Sequence, residues 1–428
     1  MGGRESRTRR RVRPLEVRLP SYFRCPISLE VMKSPVSLCT GVTYDRTSIQ
    51  RWLDSGHRTC PATRQPLPST DLVPNLTLRR LIHLWSCTSS SSSAAAAAAD
   101  DISSSTDPLP ALRDLAAFFS DPAVEDPEKN RLLAAGGLAA ALAAQIVKED
   151  AGLETVEAAI RVLASILSMD GIHESNKRVA ISALLADLDG SASALIAVFQ
   201  KGGSLESRID SARVLDSILS SSSDCVAEEA KSSIAEKPGL IPELVRLIGG
   251  ETKVDPAAAD VGLRCLTGIL TAAGQRLRVP MVRAGVVAAA TRVLAADEVT
   301  AGAAERALRV MEEAAVCAEG RAAICEAAEE CVGAVMGRVM RLGREGRETA
   351  VVVLWAVCCG GGGAGGDWRA REALAGTSGG LAKILVLKQG DCSPTAGRMA
   401  GELLRIFRAD SKGCPAGYDS KTIHIMPF

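Results

Sequence analysis

Aromatic residues are scarce in this sequence: 4 Trp, 3 Tyr and 6 Phe among 428 residues. Sandwiches and barrels draw on aromatic and β-branched side chains, so neither suits the composition. With a hydrophobic fraction of 47%, the core must be filled by Ala, Val, Leu and Ile, which favours closely packed helices. Net charge is absent too. Lys and Arg number 50 and so do Asp and Glu, which argues against a surface that is a nucleic-acid footprint throughout. No stretch reaches the ~18 consecutive apolar residues of a membrane span. The N-terminus has Arg4, Arg7, Arg9, Arg10, Arg11 and Arg13 where a secretory signal would have an apolar core. The 13 Cys are odd in number, scattered from Cys25 to Cys414, and form no Cys-x-x-Cys pair. That pattern predicts reduced thiols rather than a disulfide framework.

Composition divides the chain into a basic tail (1–18), a mixed module (19–86), a Ser- and Ala-rich linker (87–106), a long helical region (107–408) and a polar tail (409–428). The linker offers little to bury. The long region repeats. Small-and-aliphatic helices begin at Gly137, Gly190, Gly239, Gly285, Cys331 and Gly380. A more polar helix follows each of them: 154–168, 206–220, 255–271, 299–316, 346–359 and 393–408. Charged turns such as Lys129-Asn130-Arg131, Arg278 to Arg283 and Arg321 to Glu326 lead into several of the starts. A period in the forties with two or three helices per unit is the signature of armadillo or HEAT repeats, about six of them here. Each Gly is expected where the chain turns sharply with a left-handed backbone. Such a stack would form a groove that binds protein segments. Asn130, Arg131, Arg278 and Arg283 are candidate substrate-binding positions there, with Lys177 and Arg178 beside them; the bland alternative for each is a solvated turn charge.

The mixed module reads as two loops around a hairpin and a helix. Pro35 to Leu38 should pair with Val42 to Tyr44 across a Gly41 turn. Asp45 should cap a helix over 46–54 that ends at Gly56, and a last helix should run from Leu76 to Trp85. The expected core is Val36, Tyr44, Ile49, Leu53, Leu67, Leu72, Leu76 and Leu81. Glu30, Lys33, Asp45, Arg46, Arg51, Arg64 and Asn75 are expected to hold the loops through hydrogen bonds and charge pairs. Cys25, Cys39, His57 and Cys60 are too few, and too irregularly spaced, for the eight ligands of a two-zinc module, so no metal or other cofactor is expected. Isolated Cys are more often small buried hydrophobes.

The pieces FRCPISLEVMKSPV, GVTYDRTSIQRWL, CPATRQPL and LVPNLTLRRLI resemble a U-box, the zinc-less relative of the RING domain in ubiquitin ligases. A U-box followed by armadillo repeats resembles the plant U-box ligases. The resemblance implies a mostly α protein: a small α+β U-box followed by an α-solenoid. It implies a RING-type ligase whose partners are a ubiquitin-conjugating enzyme, ubiquitin and a protein substrate, with a homodimer as an open option. Ile27, Leu29, Trp52 and Pro61 would contact the conjugating enzyme, and Arg64 would bridge it to its loaded ubiquitin. The alternatives are that Ile27 or Leu29 fills the core and that Arg64 forms a loop salt bridge. A role in plant stress or immune signalling, in cytoplasm or nucleus, is implied by the resemblance alone. The rival function is a non-catalytic armadillo scaffold. Gly360 to Gly366 lacks the Gly-Lys-Ser/Thr ending of a phosphate loop.

Overall fold

The computed structural model describes residues 21–79, 81–82, 99, 101–105, 107–134, 137–222, 226–250, 253–360, 368–390 and 392–410. The basic tail, most of the linker, the end of the helix expected to reach Trp85, the Gly-rich run after Gly360 and the C-terminal tail lie outside these residues. The chain forms two compact units. One holds the N-terminal module together with 125–137, and the other holds 99–124 and everything from 138 onward.

In the module, β1 (Pro35–Ser37) pairs antiparallel with β2 (Thr43–Asp45) in the register Val36 to Tyr44. A two-residue strand, β3 (Val73–Pro74), joins the other edge of β1. The hairpin turns at Gly41, whose φ is 78°. Helix α1 (Arg46–Asp54) begins where expected, with the Asp45 carboxylate accepting from the Thr47 N–H, and Gly56 beyond its end has a φ of 85°. Phe23, Cys25, Met32, Val36, Leu38, Tyr44, Ile49, Cys60 and Ile82 form the core, with Leu53, Leu67 and Leu72 packed partly against it. Two expected core residues, Leu76 and Leu81, are exposed instead. The last turns bury Leu78 and Ile82, spaced i and i+4, and so turn the two leucines outward.

The charge pairs expected in the module do not form: among its described residues there is no ion pair. Asp45 and Asn75 act through hydrogen bonds. Asp45 accepts from the backbone of Lys33 and Ser34 at 2.8 and 2.9 Å. The Asn75 amide donates to the Ser37 and Thr43 hydroxyls and its oxygen caps Leu78 N–H. Lys33, Arg46 and Arg64 contribute backbone N–H groups rather than charge.

The second unit is a stack. After a helical turn over 101–104 comes α2 (Leu109–Ser120); α3 (Asp126–Ala134) groups with the module. A second and a third helix follow, α4 (Leu138–Val147) and α5 (Leu153–Ser168). Then come five triplets of a first, a second and a third helix. These are α6 (Glu174–Leu185), α7 (Leu188–Lys201) and α8 (Leu205–Ser220); α9 (Glu228–Ala235), α10 (Leu240–Gly249) and α11 (Pro256–Ala273); α12 (Arg278–Arg283), α13 (Val286–Ala295) and α14 (Ala301–Val316); α15 (Ala318–Glu326), α16 (Ala328–Arg338) and α17 (Arg344–Cys358); and α18 (Trp368–Gly376), α19 (Gly380–Gln389) and α20 (Pro394–Asp410). The charged turns of the sequence reading are short first helices. The expected glycine turns are real at Gly137, Gly239 and Gly285, with φ of 88°, 87° and 90°. At the sixth start the left-handed residue is Gly379, while Gly190 and Cys331 lie inside helices.

Third helices pack on third helices from α2 through α20, and second helices α4, α7, α10, α13 and α16 form a parallel ladder. The apolar faces leave carbonyls at helix C-termini that need partners. In the second-helix ladder the next unit provides them. Gln145 donates to Ile102 carbonyl at 2.7 Å, Arg292 to Gly250 at 3.2 Å, Arg338 to Leu294 at 2.9 Å and also to Ala296, and Lys383 to Met336 at 2.9 Å. Ile102, in the stretch read as a linker with little to bury, is fully buried. Third helices use acids in the reverse sense. Glu157, Glu305 and Glu348 accept from the N–H groups of Gly203, Gly343 and Ser393, ahead of the next third helix.

Candidate functional site

The two loops of the module share one backbone template. In the first, Cys25 N–H donates to Glu30 carbonyl at 2.8 Å, Leu29 N–H returns to Cys25 carbonyl at 2.8 Å, and Met32 N–H reaches Phe23. In the second, Cys60 N–H donates to Gln65 at 2.8 Å, Arg64 N–H returns to Cys60 at 2.7 Å, and Leu67 N–H reaches Arg58. Isolated bridges, Arg24 to Val31 and Thr59 to Pro66, close each loop at the same place. The fifth residue of each, Leu29 and Arg64, has a φ of 60°. They are the only described non-glycine residues with positive φ, a conformation that costs roughly 1–2 kcal/mol per residue.

Both loops hang on β2. Asp45 N–H donates to the Cys25 thiol at 3.3 Å, and the Asp45 carboxylate holds Lys33 and Ser34 at the far side of loop one. The neighbouring Tyr44 hydroxyl accepts from Ala62 N–H at 3.0 Å and lies 3.0 Å from the Cys60 sulfur, with the Thr40 hydroxyl 3.4 Å from that sulfur. Burial pushes the Cys60 thiol up, but hydrogen bonds from Thr40, Thr63 and Tyr44 outweigh it and bring the thiol down to about 6. Cys25 is lowered in the same way: burial opposes, and hydrogen bonds from Ser28, Asp45 and Ile27 prevail. The thiolate in turn raises the buried Tyr44 hydroxyl, after desolvation. Among the described residues no three His, Cys, Asp or Glu side chains converge as metal ligands would.

This frame displays the residues singled out from the sequence. Ile27 is 37% exposed and Leu29 68%, so neither fills the core. Arg64 is exposed at the tip of loop two and forms no ion pair among the described residues. Trp52 is half-buried; its indole N–H donates to Thr59 carbonyl at 2.9 Å, which ties α1 to the start of loop two. Pro61, half-buried, follows Cys60 in that loop. Two further side chains lie beside these residues. His57 stacks on Trp52 with ring centroids 4.0 Å apart, and Tyr22 is 64% exposed beside loop one. In the sequence His57 reads only as a candidate metal ligand, and no periodic pattern marks either residue.

The four substrate candidates lie on first helices or, for α3, in the module's unit. Asn130 is buried and donates to Asp126 carbonyl, and Arg131 donates to Pro127 carbonyl. Arg278 is joined to Glu313 at 2.7 Å, while Arg283 is exposed. Lys177 pairs with Glu174. The third-helix ladder carries its own charges. Arg161 and Arg213 flank the buried Asp210, and Arg306 meets Asp260 at 2.6 Å. Burial pushes Asp210 up despite the two guanidinium groups. A 560 Å³ cleft between α2 and α5 is lined by Arg113, Glu154, Glu157 and Arg161.

Comparison with known proteins matches residues 19–91 to the U-box domain and residues 103–425 to the plant U-box protein ARM repeat region. U-box domain-containing protein 28 of Arabidopsis thaliana is 34% identical over 421 residues, 96% of this chain and 98% of that protein. E3 ubiquitin-protein ligase PUB22 of Arabidopsis thaliana is 58% identical over 74 residues, 17% of each chain. A designed armadillo repeat protein covers 60% of this chain and 98% of its own at 17% identity, with a TM-score of 0.43.

Proposed function

Since the chain belongs to the plant U-box proteins with an ARM repeat region, we propose that it is a RING-type ubiquitin ligase. The observation that carries this reading is the pair of matched loops presenting Ile27, Leu29 and Arg64 to solvent on a rigid frame. Exposed apolar side chains held in place by backbone hydrogen bonds are what a protein partner needs for anchoring. Ile27, Leu29, Trp52 and Pro61 bind the ubiquitin-conjugating enzyme. The Arg64 fork donates to carbonyl groups of that enzyme and of its loaded ubiquitin, which holds the thioester in an attack-ready pose. The gain in rate comes from orientation, and the substrate lysine is the nucleophile. Cys60 is deprotonated near neutral pH yet fully buried and hydrogen-bonded, so it is an anchor for loop two and carries no ubiquitin. The repeat stack selects the substrate, and the charged third-helix ladder is a better surface for it than the first-helix positions, where Asn130 is buried and Arg278 is paired. The family resemblance extends the reading to stress or immune signalling in cytoplasm and nucleus.

Autoubiquitination with a panel of purified conjugating enzymes tests it. Wild type is expected to build chains with at least one of them, and Ile27→Ala to lower the rate by about tenfold or more. Absence of chains across the panel, or full activity of Ile27→Ala, would return the protein to the scaffold reading.

A further inference from the structure

A trench of 840 Å³ runs between α13 and α16 on the second-helix ladder, away from the residues of the charged third-helix cleft. Its walls are unusually low. Ala288, Ala295, Gly333, Ala334 and Gly337 line it, and a Cβ added at Gly333 or Gly337 would meet nothing within 4 Å. A partner backbone can therefore approach these helices closely. At one end Arg292 and Arg338 bond to helix carbonyls, and the exposed Arg341 lies 3.9 Å from Asp297. At the other end the trench shares Glu329 and Glu330 with a second pocket of 350 Å³, which adds Glu326, Glu372 and Trp368. Trp368 is 65% exposed, in a chain with 4 Trp in all. Several acids elsewhere in the stack bond to backbone N–H groups or pair with Lys or Arg. These four carboxylates are exposed and in no ion pair among the described residues. The one cation on that pocket's wall is Arg369, lying against the Trp368 ring at 5.7 Å.

We propose that the trench and its acidic pocket are one docking site for a protein segment with a Lys or Arg pair followed by small aliphatic residues. The cations would sit among Glu326, Glu329, Glu330 and Glu372 beside the indole, and the aliphatic side chains would lie along the Ala and Gly walls. Charge complementarity sets the direction of the segment, and the Ala and Gly positions along the walls allow its close approach. The site is independent of ubiquitin transfer, so its test stands or falls separately from the ligase reading.

Fluorescence anisotropy of the full chain with a labelled peptide, two lysines followed by Ala-Leu-Ala-Val-Leu, reads the site directly. A charge-reversed peptide with two glutamates is the control. The basic peptide is expected to bind about tenfold more tightly than the control. The triple variant Glu326→Gln/Glu329→Gln/Glu330→Gln should lose about that factor. Gly337→Leu, which fills the trench from an open position, should weaken binding to a similar degree, with a melting temperature no lower than wild type and unchanged autoubiquitination. Gly333→Leu repeats the test if Gly337→Leu does not fold. Equal affinity for both peptides, no binding at millimolar concentration, or wild-type binding by a folded trench-filled variant would overturn the proposal.

Discussion

Cys60 and Tyr44 show how single residues replace charge pairs in the module. The folded chain releases the Cys60 proton near pH 6, whereas an unfolded chain holds it to about 8.5. Between these values the unfolded state binds more protons, so the stability of the module rises with pH across that window and is lost as pH falls through 6. The lowered Cys25 acts with the same sign. Urea unfolding of the full chain carrying Trp85→Phe, Trp355→Phe and Trp368→Phe, followed by Trp52 fluorescence at pH 6 and pH 8.5, should show a higher midpoint for the module at the higher pH. Cys60→Ser should shrink that difference, and an equal difference in the variant would remove the thiolate from the account. None of this was legible in the sequence. The sulfur of Cys60 meets a hydroxyl 16 residues away, a contact that neither spacing nor periodicity reports. The exposure of Leu76 and Leu81 was hidden for another reason. Leu76, Leu78, Leu81 and Ile82 put apolar groups all round the helix, so the pattern could not choose the buried face.

At the scale of elements the sequence was far more legible. The third helices begin and end within a few residues of expectation, because each has an apolar stripe long enough to set its period. The first helices were missed as helices because six to twelve residues rich in charge resemble turns. β3 was missed because two residues ending in Pro carry no strand signal, and only an edge strand tolerates that Pro. Glycines in this stack fall into two physical classes, and one experiment separates them. Gly285 has a φ of 90° with open space around it, so Gly285→Ala should cost about 1–2 kcal/mol from backbone strain alone. Gly337 is helical and equally open, so Gly337→Ala should stabilise by about 0.5–1 kcal/mol. Thermal melts of the two variants should move in opposite directions. Movement in the same direction would contradict the left-handed assignment of Gly285.

For the whole molecule, the stack predicts that damage is felt by position rather than by burial. Leu266 in α11 and Leu403 in α20 are both fully buried. Truncation of either to Ala should cost about 2–5 kcal/mol locally. Units touch only their neighbours, so Leu403→Ala should loosen the last unit alone, while Leu266→Ala should divide the stack into two segments that open separately. Hydrogen exchange by mass spectrometry distinguishes these outcomes; uniform loss of protection in both variants would mean a single cooperative block.

The backward-reaching cations give the stack a direction in time. Arg292, Arg338 and Lys383 complete carbonyls that lie 42, 44 and 47 residues earlier. A ribosome makes the carbonyls first and the cations about one unit later. Each newly made unit therefore waits, with its last turn open, for the following unit to emerge. Assembly during synthesis proceeds one repeat behind the growing end.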